Sequence, residues 1–330
     1  MTESVGMTVV LLLLAIIDIV GNVIVCAIIK RNRDMRSPMN YLLLNLAIAD
    51  IMYAAFIAPR VYFQLTLNHP DGVMGTIFCK FVTDGSVAWI GGASSIVTLT
   101  AIAIERYYAV MYPHGNKWKL TEQKLKVIIP FSWIFAILLI TPMFIVKDVL
   151  KNKDGGSFCA YVYPEEWMGR AYTTTWNVVF FLPLALMIVL YARVVRALWF
   201  HGNDDNQLTH QQKGVARVRK RVTLMVVAIT AIYGICWGTN EVVYAIEFIA
   251  LHHIGHLPMA IANTMVLFNS AINPFVYALL NKQFREKMKV MLCCTHSPAA
   301  RIHPKRKSKD TVLDHNTIPS IYTAASSTTE

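Results

Sequence analysis

The stretch GSVAWIGGASSIVTLTAIAIERYY, residues 85–108, decides how the chain folds. A bilayer core of about 30 Å is crossed by ~20 apolar residues at about 1.5 Å each in a helix, and residues 85–104 supply that run. Charge arrives only at Glu105 and Arg106, which places this end of the helix at the membrane surface. An isolated pair there would be read as a helix end snorkelling into lipid headgroups. Charges at that depth are costly unless paired or solvated, so with polar company elsewhere in the chain the pair reads as a site.

The remaining composition agrees with a membrane protein. Of 330 residues 55% are hydrophobic and 15% charged, where a soluble domain carries charge at about a quarter of its positions. A net charge of +11 raises nucleic acid as a partner, but the basic residues fall in short runs between apolar spans, as topology requires, so no nucleic-acid binding is expected. Six cysteines are too few for a disulfide scaffold. Cys79 and Cys159 both fall just outside apolar spans, where an oxidising compartment allows one bridge. The start of the chain shows no cleavable leader. Its short segment before the first span lacks an Asn-x-Ser/Thr sequon, as does the rest of the chain, which leaves open truncation or dispensable glycosylation.

Seven spans are expected, near 5–29, 39–66, 76–108, 124–146, 172–198, 220–248 and 257–280. Lys30, Arg31, Arg33 and Arg36 follow the first, Lys117, Lys119, Lys124 and Lys126 follow the third, and Arg217, Arg219, Lys220 and Arg221 lie at the start of the sixth, so these loops are cytoplasmic and the N-terminus is extracellular. Residues 201–212 read as a short solvated connector. Residues 282–292 form a short amphipathic helix with Phe284, Met288 and Leu292 on one face, lying on membrane lipids. The organisation expected is therefore an all-α seven-helix membrane bundle with this eighth helix over 1–292, and a disordered cytoplasmic tail over 293–330.

Asp50 lies mid-span, where an unpaired carboxylate costs several kcal/mol, so it must face other polar groups. Asn22, Ser95, Asn269, Ser270 and Asn273 stand at comparable depth. Pro274 removes a backbone hydrogen bond and lets the end of the seventh span bend.

With these residues the chain resembles the rhodopsin-like (class A) G-protein-coupled receptors. Gly21-Asn22, the Leu46 to Asp50 stretch, Glu105-Arg106-Tyr107, Trp133, Pro183 with Tyr191, Cys236-Trp237 and Asn273-Pro274-x-x-Tyr277 occur in the family's order over roughly 20–295. The resemblance implies a receptor rather than an enzyme, in the plasma membrane, that activates a heterotrimeric G protein through Arg106, with Tyr191 and Tyr277 moving toward it. It implies that Trp237 lies beneath a ligand pocket, and that Asp50, Ser95, Asn269 and Asn273 hold an allosteric sodium ion, which suits a hard cation; mutual satisfaction through water is the alternative. No other cofactor is expected. Cys79 and Cys159 are then expected to join the third span to the second outer loop. Cys293 and Cys294 follow the amphipathic helix as candidates for S-palmitoylation, and Thr323, Ser326, Ser327, Thr328 and Thr329 as phosphate acceptors recruiting arrestin.

Some positions depart from the family. Gly238-Thr239 replaces the proline after the tryptophan of span six. The interval from Cys79 to Arg106 is about two residues longer than usual, for which Gly91-Gly92 offers a bulge. Arg219 stands where some members carry an acid, leaving Arg106 with Glu105 as its evident partner.

Ala88 occupies the place of an amine receptor's aspartate and Leu267 that of a visual pigment's lysine, so neither ligand class is expected. The second outer loop, from Phe158-Cys159 to Trp167, resembles that of neuropeptide receptors. Glu241, one turn beyond Trp237, together with Asp84, Glu247 and Glu165-Glu166, suggests a negative pocket for a cationic peptide, aided by Trp89, Tyr233 and Tyr244. The competing arrangement pairs Arg60 with Asp84 and satisfies Glu241 through Asn240, Tyr244 or water. A seven-helix proton or ion transporter using Asp18, Asp50 and Glu241 is the alternative function. His252, His253 and His256 are weighed as a metal site and read instead as a wet loop.

Overall fold

The computed structural model describes residues 2–66, 70, 72–112, 120–151, 156–200, 210–250 and 254–292. Helix α1 (Thr2–Arg31) is followed by a 3₁₀ turn (Arg33–Met35), α2 (Pro38–Thr66), α3 (Gly72–Phe78), a π turn (Cys79–Thr83) and α4 (Ser86–Met111). Next come α5 (Glu122–Val146), strands β1 (Lys147–Lys151) and β2 (Ser157–Tyr161), α6 (Glu166–Phe200), α7 (His210–Phe248), α8 (His256–Leu280) and α9 (Lys282–Leu292). Seven of the spans so formed are long and apolar enough to cross a membrane. Large apolar side chains such as Leu138, Leu182, Ile235 and Leu279 point outward, as lipid-facing residues do.

The third span is the centre. Two thirds (67%) of its most apolar window is buried, against 22% in the fourth and fifth spans, which form the rim. Two glycines make the central position possible. Gly91 lies against the backbone of α2, so that a Cβ there would collide with the Ala49 carbonyl oxygen, and a Cβ on Gly92 would come within 2.5 Å of the Trp237 ring. These glycines sit inside regular helix and do not carry the extra length of the span. The surplus is taken up where α3 passes through the π turn at Cys79–Thr83 and the chain turns at Gly85, whose φ of 75° only glycine adopts without strain. The long helix therefore starts at Ser86, and Asp84 belongs to the turn before it.

Hydrogen bonds tie the centre to its neighbours. Trp133 Nε1 donates to Asn45 Oδ1 at 2.9 Å, while Asn45 Nδ2 donates to Thr98 Oγ1 at 2.9 Å, joining α5, α2 and α4. At the first span, Gly21 lets α8 approach so closely that a Cβ would lie 2.8 Å from Pro274 Cγ. The seventh span remains helical through Pro274. Helix α7 likewise continues through Gly238-Thr239, with the Thr239 hydroxyl bonded back to the Ile235 carbonyl at 2.9 Å. It starts at His210, inside the expected connector, whose residues 201–209 lie outside the described residues.

The second outer loop contains a β-hairpin that alternation did not reveal. Its antiparallel register sets Lys147 opposite Tyr161 and Val149 opposite Cys159. The Cys79–Cys159 disulfide, with a Cα separation of 5.5 Å, fastens this hairpin to the third span. A second fastening is electrostatic: Lys147 forms a buried ion pair with Asp84 and sits 3.2 Å from the centroid of its cross-strand neighbour Tyr161. Burial pushes the Lys147 ammonium down to about 8, against the pull of Asp84. Arg60, the competing partner for Asp84, packs its aliphatic stem over Gly85, and Asp84 is among the groups whose charge its guanidinium feels.

Two outcomes test this packing. Gly91→Ala is expected to destabilise the receptor by ~1–3 kcal/mol, the usual cost of overpacking, because backbone cannot yield as a side chain can; it is read as a lower unfolding midpoint of the purified protein. Asp84→Asn leaves Lys147 buried without its counter-ion and should cost ~3–5 kcal/mol, whereas Asp84→Asn with Lys147→Met should recover most of it. An unchanged midpoint in either single variant would contradict the assignment.

Candidate functional site

At the disulfide end a cavity opens between α4, α5, α6, α7 and the hairpin. Aromatic side chains form most of its wall, among them Trp89, Tyr161, Tyr172, Trp176, Tyr244 and Phe248. They are set by helical spacing and locked against one another. Trp89 meets the Trp176, Trp237 and Tyr244 rings nearly edge-on, with centroids 6.0, 5.8 and 6.4 Å away, and Trp176 stacks on Trp237 at 6.3 Å. Trp237 itself is 1% exposed and lies beneath this cluster, packed on Tyr233 as well. A rigid aromatic floor of this kind offers apolar area and cation-π contact at little entropic cost.

Among the described residues one carboxylate reaches the cavity wall, that of Glu241. It is 4% exposed and makes no hydrogen bond or ion pair among the described residues. The neighbours weighed for it are engaged elsewhere: Asn240 Nδ2 and the Tyr244 hydroxyl both donate to Asn263 Oδ1 on α8, at 3.1 and 3.3 Å. Asn263 was not foreseen, since an asparagine on the flank of an apolar helix carries no motif. Asp84 does not join Glu241, because Lys147 neutralises it behind the wall, and Glu247 accepts from the Ile254 amide at 2.9 Å. Glu165 and Glu166 are exposed. Of the proposed acidic group, Glu241 is the member in the wall. Of the three histidines considered as metal ligands, His252 and His253 lie outside the described residues, and no cluster of three or more His, Cys, Asp or Glu side chains able to hold a metal ion occurs among the described residues.

Midway through the bundle the expected polar layer assembles. Asn273 Nδ2 donates to Asp50 Oδ2 at 2.8 Å, while the side-chain oxygens of Asn269 and Asn273 are buried without any donor. Orphaned acceptors beside a carboxylate suit a hard cation, so Asp50, Asn269 and Asn273 fit the sodium ligand set. Ser95, also buried, turns its hydroxyl to the Gly91 carbonyl at 3.1 Å.

At the far end Arg106 pairs with Glu105, and no second ion pair of Arg106 occurs among the described residues. The Tyr277 hydroxyl is buried without a hydrogen-bond partner among the described residues, and the Tyr191 hydroxyl is buried beside Thr230. Tyr277 is held by Phe284 of α9, with ring centroids 5.5 Å apart, and α9 is braced to the 3₁₀ turn by Lys287 and Asp34 at 3.1 Å. Cys293, Cys294 and the Ser/Thr tail lie outside the described residues.

Comparison with known proteins bears on this arrangement directly. Residues 21–277 match the 7 transmembrane receptor (rhodopsin family), a stretch that includes every landmark from Asn22 to Tyr277. A QRFP-like peptide receptor of Branchiostoma floridae is 29% identical over 304 residues, covering 89% of this chain and 78% of the relative. The pyroglutamylated RF-amide peptide receptor of Mus musculus is 30% identical, covering 83% and 66% respectively, so the chain spans just under two thirds of that protein. A tachykinin-like peptides receptor of Drosophila melanogaster is 26% identical over 328 residues. With a family match across most of its length and seven spans arranged around the third, the chain belongs to the rhodopsin family of seven-transmembrane, G-protein-coupled receptors, a family of receptors and not of enzymes.

Proposed function

We propose that this receptor sits in the plasma membrane with its N-terminus outside and recognises a cationic peptide in the aromatic cavity. The observation that carries the reading is Glu241: a buried carboxylate facing a cavity, with no partner among the described residues, one helical turn from Trp237. A desolvated acid in that position is costly until a cation meets it. Aromatic walls favour the same group, since an arginine or lysine can stack while its charge reaches Glu241. Relatives named for RF-amide and tachykinin-like peptides support a peptide ligand, and the first of these names a residue with a guanidinium.

Agonist binding at this depth changes the packing around Trp237, and the seven spans relay the change to Arg106, where the heterotrimeric G protein docks. Tyr191 and Tyr277 move toward it, and the Tyr277 hydroxyl, without a partner among the described residues, gains one at the rearranged Arg106 end. Arg219 offers no acid to restrain Arg106, so basal signalling is expected. Sodium at the Asp50 layer favours the resting arrangement. The tail from 293 onward provides lipid attachment at Cys293 and Cys294 and phosphorylation sites for arrestin.

The test is peptide potency. In cells expressing the receptor, an RF-amide peptide should evoke calcium or cyclic-nucleotide responses. Truncating one member of a desolvated charge pair costs ~2–5 kcal/mol, so Glu241→Gln should weaken potency roughly thirty-fold or more at equal surface expression. Replacing the peptide's arginine by citrulline should weaken it similarly but not add to the mutation. Potency unchanged by Glu241→Gln, or a best agonist without positive charge, would assign Glu241 to packing alone.

A further inference from the structure

The oxygen cluster at mid-membrane contains a second buried carboxyl group besides that of Asp50. Asp18 of α1 is fully buried, as is Asn22 one turn further on. At about 1.5 Å per residue Asp18 and Asp50 both lie ~18–20 Å from the Arg106-side ends of their helices, at matching depth. Asn22 Nδ2 donates to the Asp18 carboxylate and, at 3.1 Å, to the Asp18 backbone carbonyl; it also lies 3.4 Å from the Ser270 carbonyl oxygen. Ser270 adjoins Asn269 and stands three residues from Asn273, whose amide holds Asp50. One chamber between α1, α2 and α8 therefore contains two carboxylates.

What the chamber lacks is uniform in kind. Asp18 Oδ2, Asn22 Oδ1, Asn269 Oδ1 and Asn273 Oδ1 are all buried acceptors without a donor among the described residues. A shell rich in oxygen acceptors and poor in donors is complementary to a hard cation. Calcium takes ~6–8 oxygen ligands in flexible geometry, which carboxylates and side-chain amides supply, whereas magnesium demands a near-ideal octahedron and transition metals prefer sulfur or imidazole. Charge balance points the same way, since an uncompensated charge in the bilayer interior is expensive.

We propose that Asp18 is a second carboxylate arm of this chamber and that the chamber binds a divalent hard cation of calcium size, whose two charges Asp18 and Asp50 balance. The proposal deepens the reading of Asp50 as a cation ligand and differs from it in requiring Asp18. It is tested on the purified full-length receptor in phosphatidylcholine nanodiscs, by following the unfolding midpoint as calcium or sodium chloride replaces choline chloride at constant ionic strength. Calcium should raise the midpoint of the wild type. Asp18→Asn, or Asp18→Ser if the asparagine variant is not recovered folded, should require at least tenfold more calcium for the same shift while keeping its sodium response, and Asp50→Asn should lose both. A sodium response without a calcium response, or a calcium response unchanged by Asp18→Asn, overturns the proposal and leaves the sodium reading standing. A calcium response lost in Asp18→Asn with no sodium response upholds the proposal and overturns the sodium reading. No response to either ion overturns both.

Discussion

Within a bilayer the chain must satisfy its own polar groups, and most of this structure follows from how it does so. The Asp50–Asn273 hydrogen bond joins the second and seventh spans at mid-membrane, and the Asn45 side chain joins the second, third and fourth. Nearer the disulfide end Lys147 answers Asp84, and at the opposite end Glu105 answers Arg106. Where the rule is broken, function is the natural explanation. Among the described residues the span carboxylates that break it are Glu241, which faces the cavity, and Asp18, whose second oxygen has no donor.

The cavity floor and the second span are connected by the third span. Gly92 bears the Trp237 ring, Gly91 touches α2 at Ala49 and Tyr53, on either side of Asp50, and Ser95 lies one turn further along. A displacement of Trp237 by a ligand therefore presses on the helix that also borders the polar layer and ends in Arg106. Because packed interiors switch between discrete arrangements more readily than they deform, such a contact chain suits a two-state receptor.

Much of this was legible in the sequence. Length and hydropathy marked the seven spans, and Asn22, Asp50, Arg106, Trp237 and Pro274 fixed the family because each is a polar or bending residue in an apolar run, where chance substitutions are rarely tolerated. The Cys79–Cys159 bridge followed from the resemblance. What escaped was relational. Lys147 closes an apolar helix and looks like an ordinary membrane-edge lysine until the hairpin register brings it over Tyr161 and onto Asp84. The surplus in span three was expected at Gly91-Gly92 because paired glycines suggest a bulge, yet they serve close packing, and the π turn lies among Cys79–Thr83, where no residue advertises it. Asp84 looked like a pocket acid for the same reason: a sequence records the charge but not the partner.

The claim on which the functional account rests is that Glu241 makes the cavity selective for a cation, and that selectivity can be measured without the natural ligand. A cysteine placed at Thr173 in the cavity wall should react with a cationic methanethiosulfonate several-fold faster than with an anionic one of similar size, beyond the rates of the receptor carrying only its own cysteines. The account predicts that the preference collapses when Glu241→Gln is added; equal rates for the two reagents with Glu241 intact, or a preference that survives its neutralisation, would contradict it.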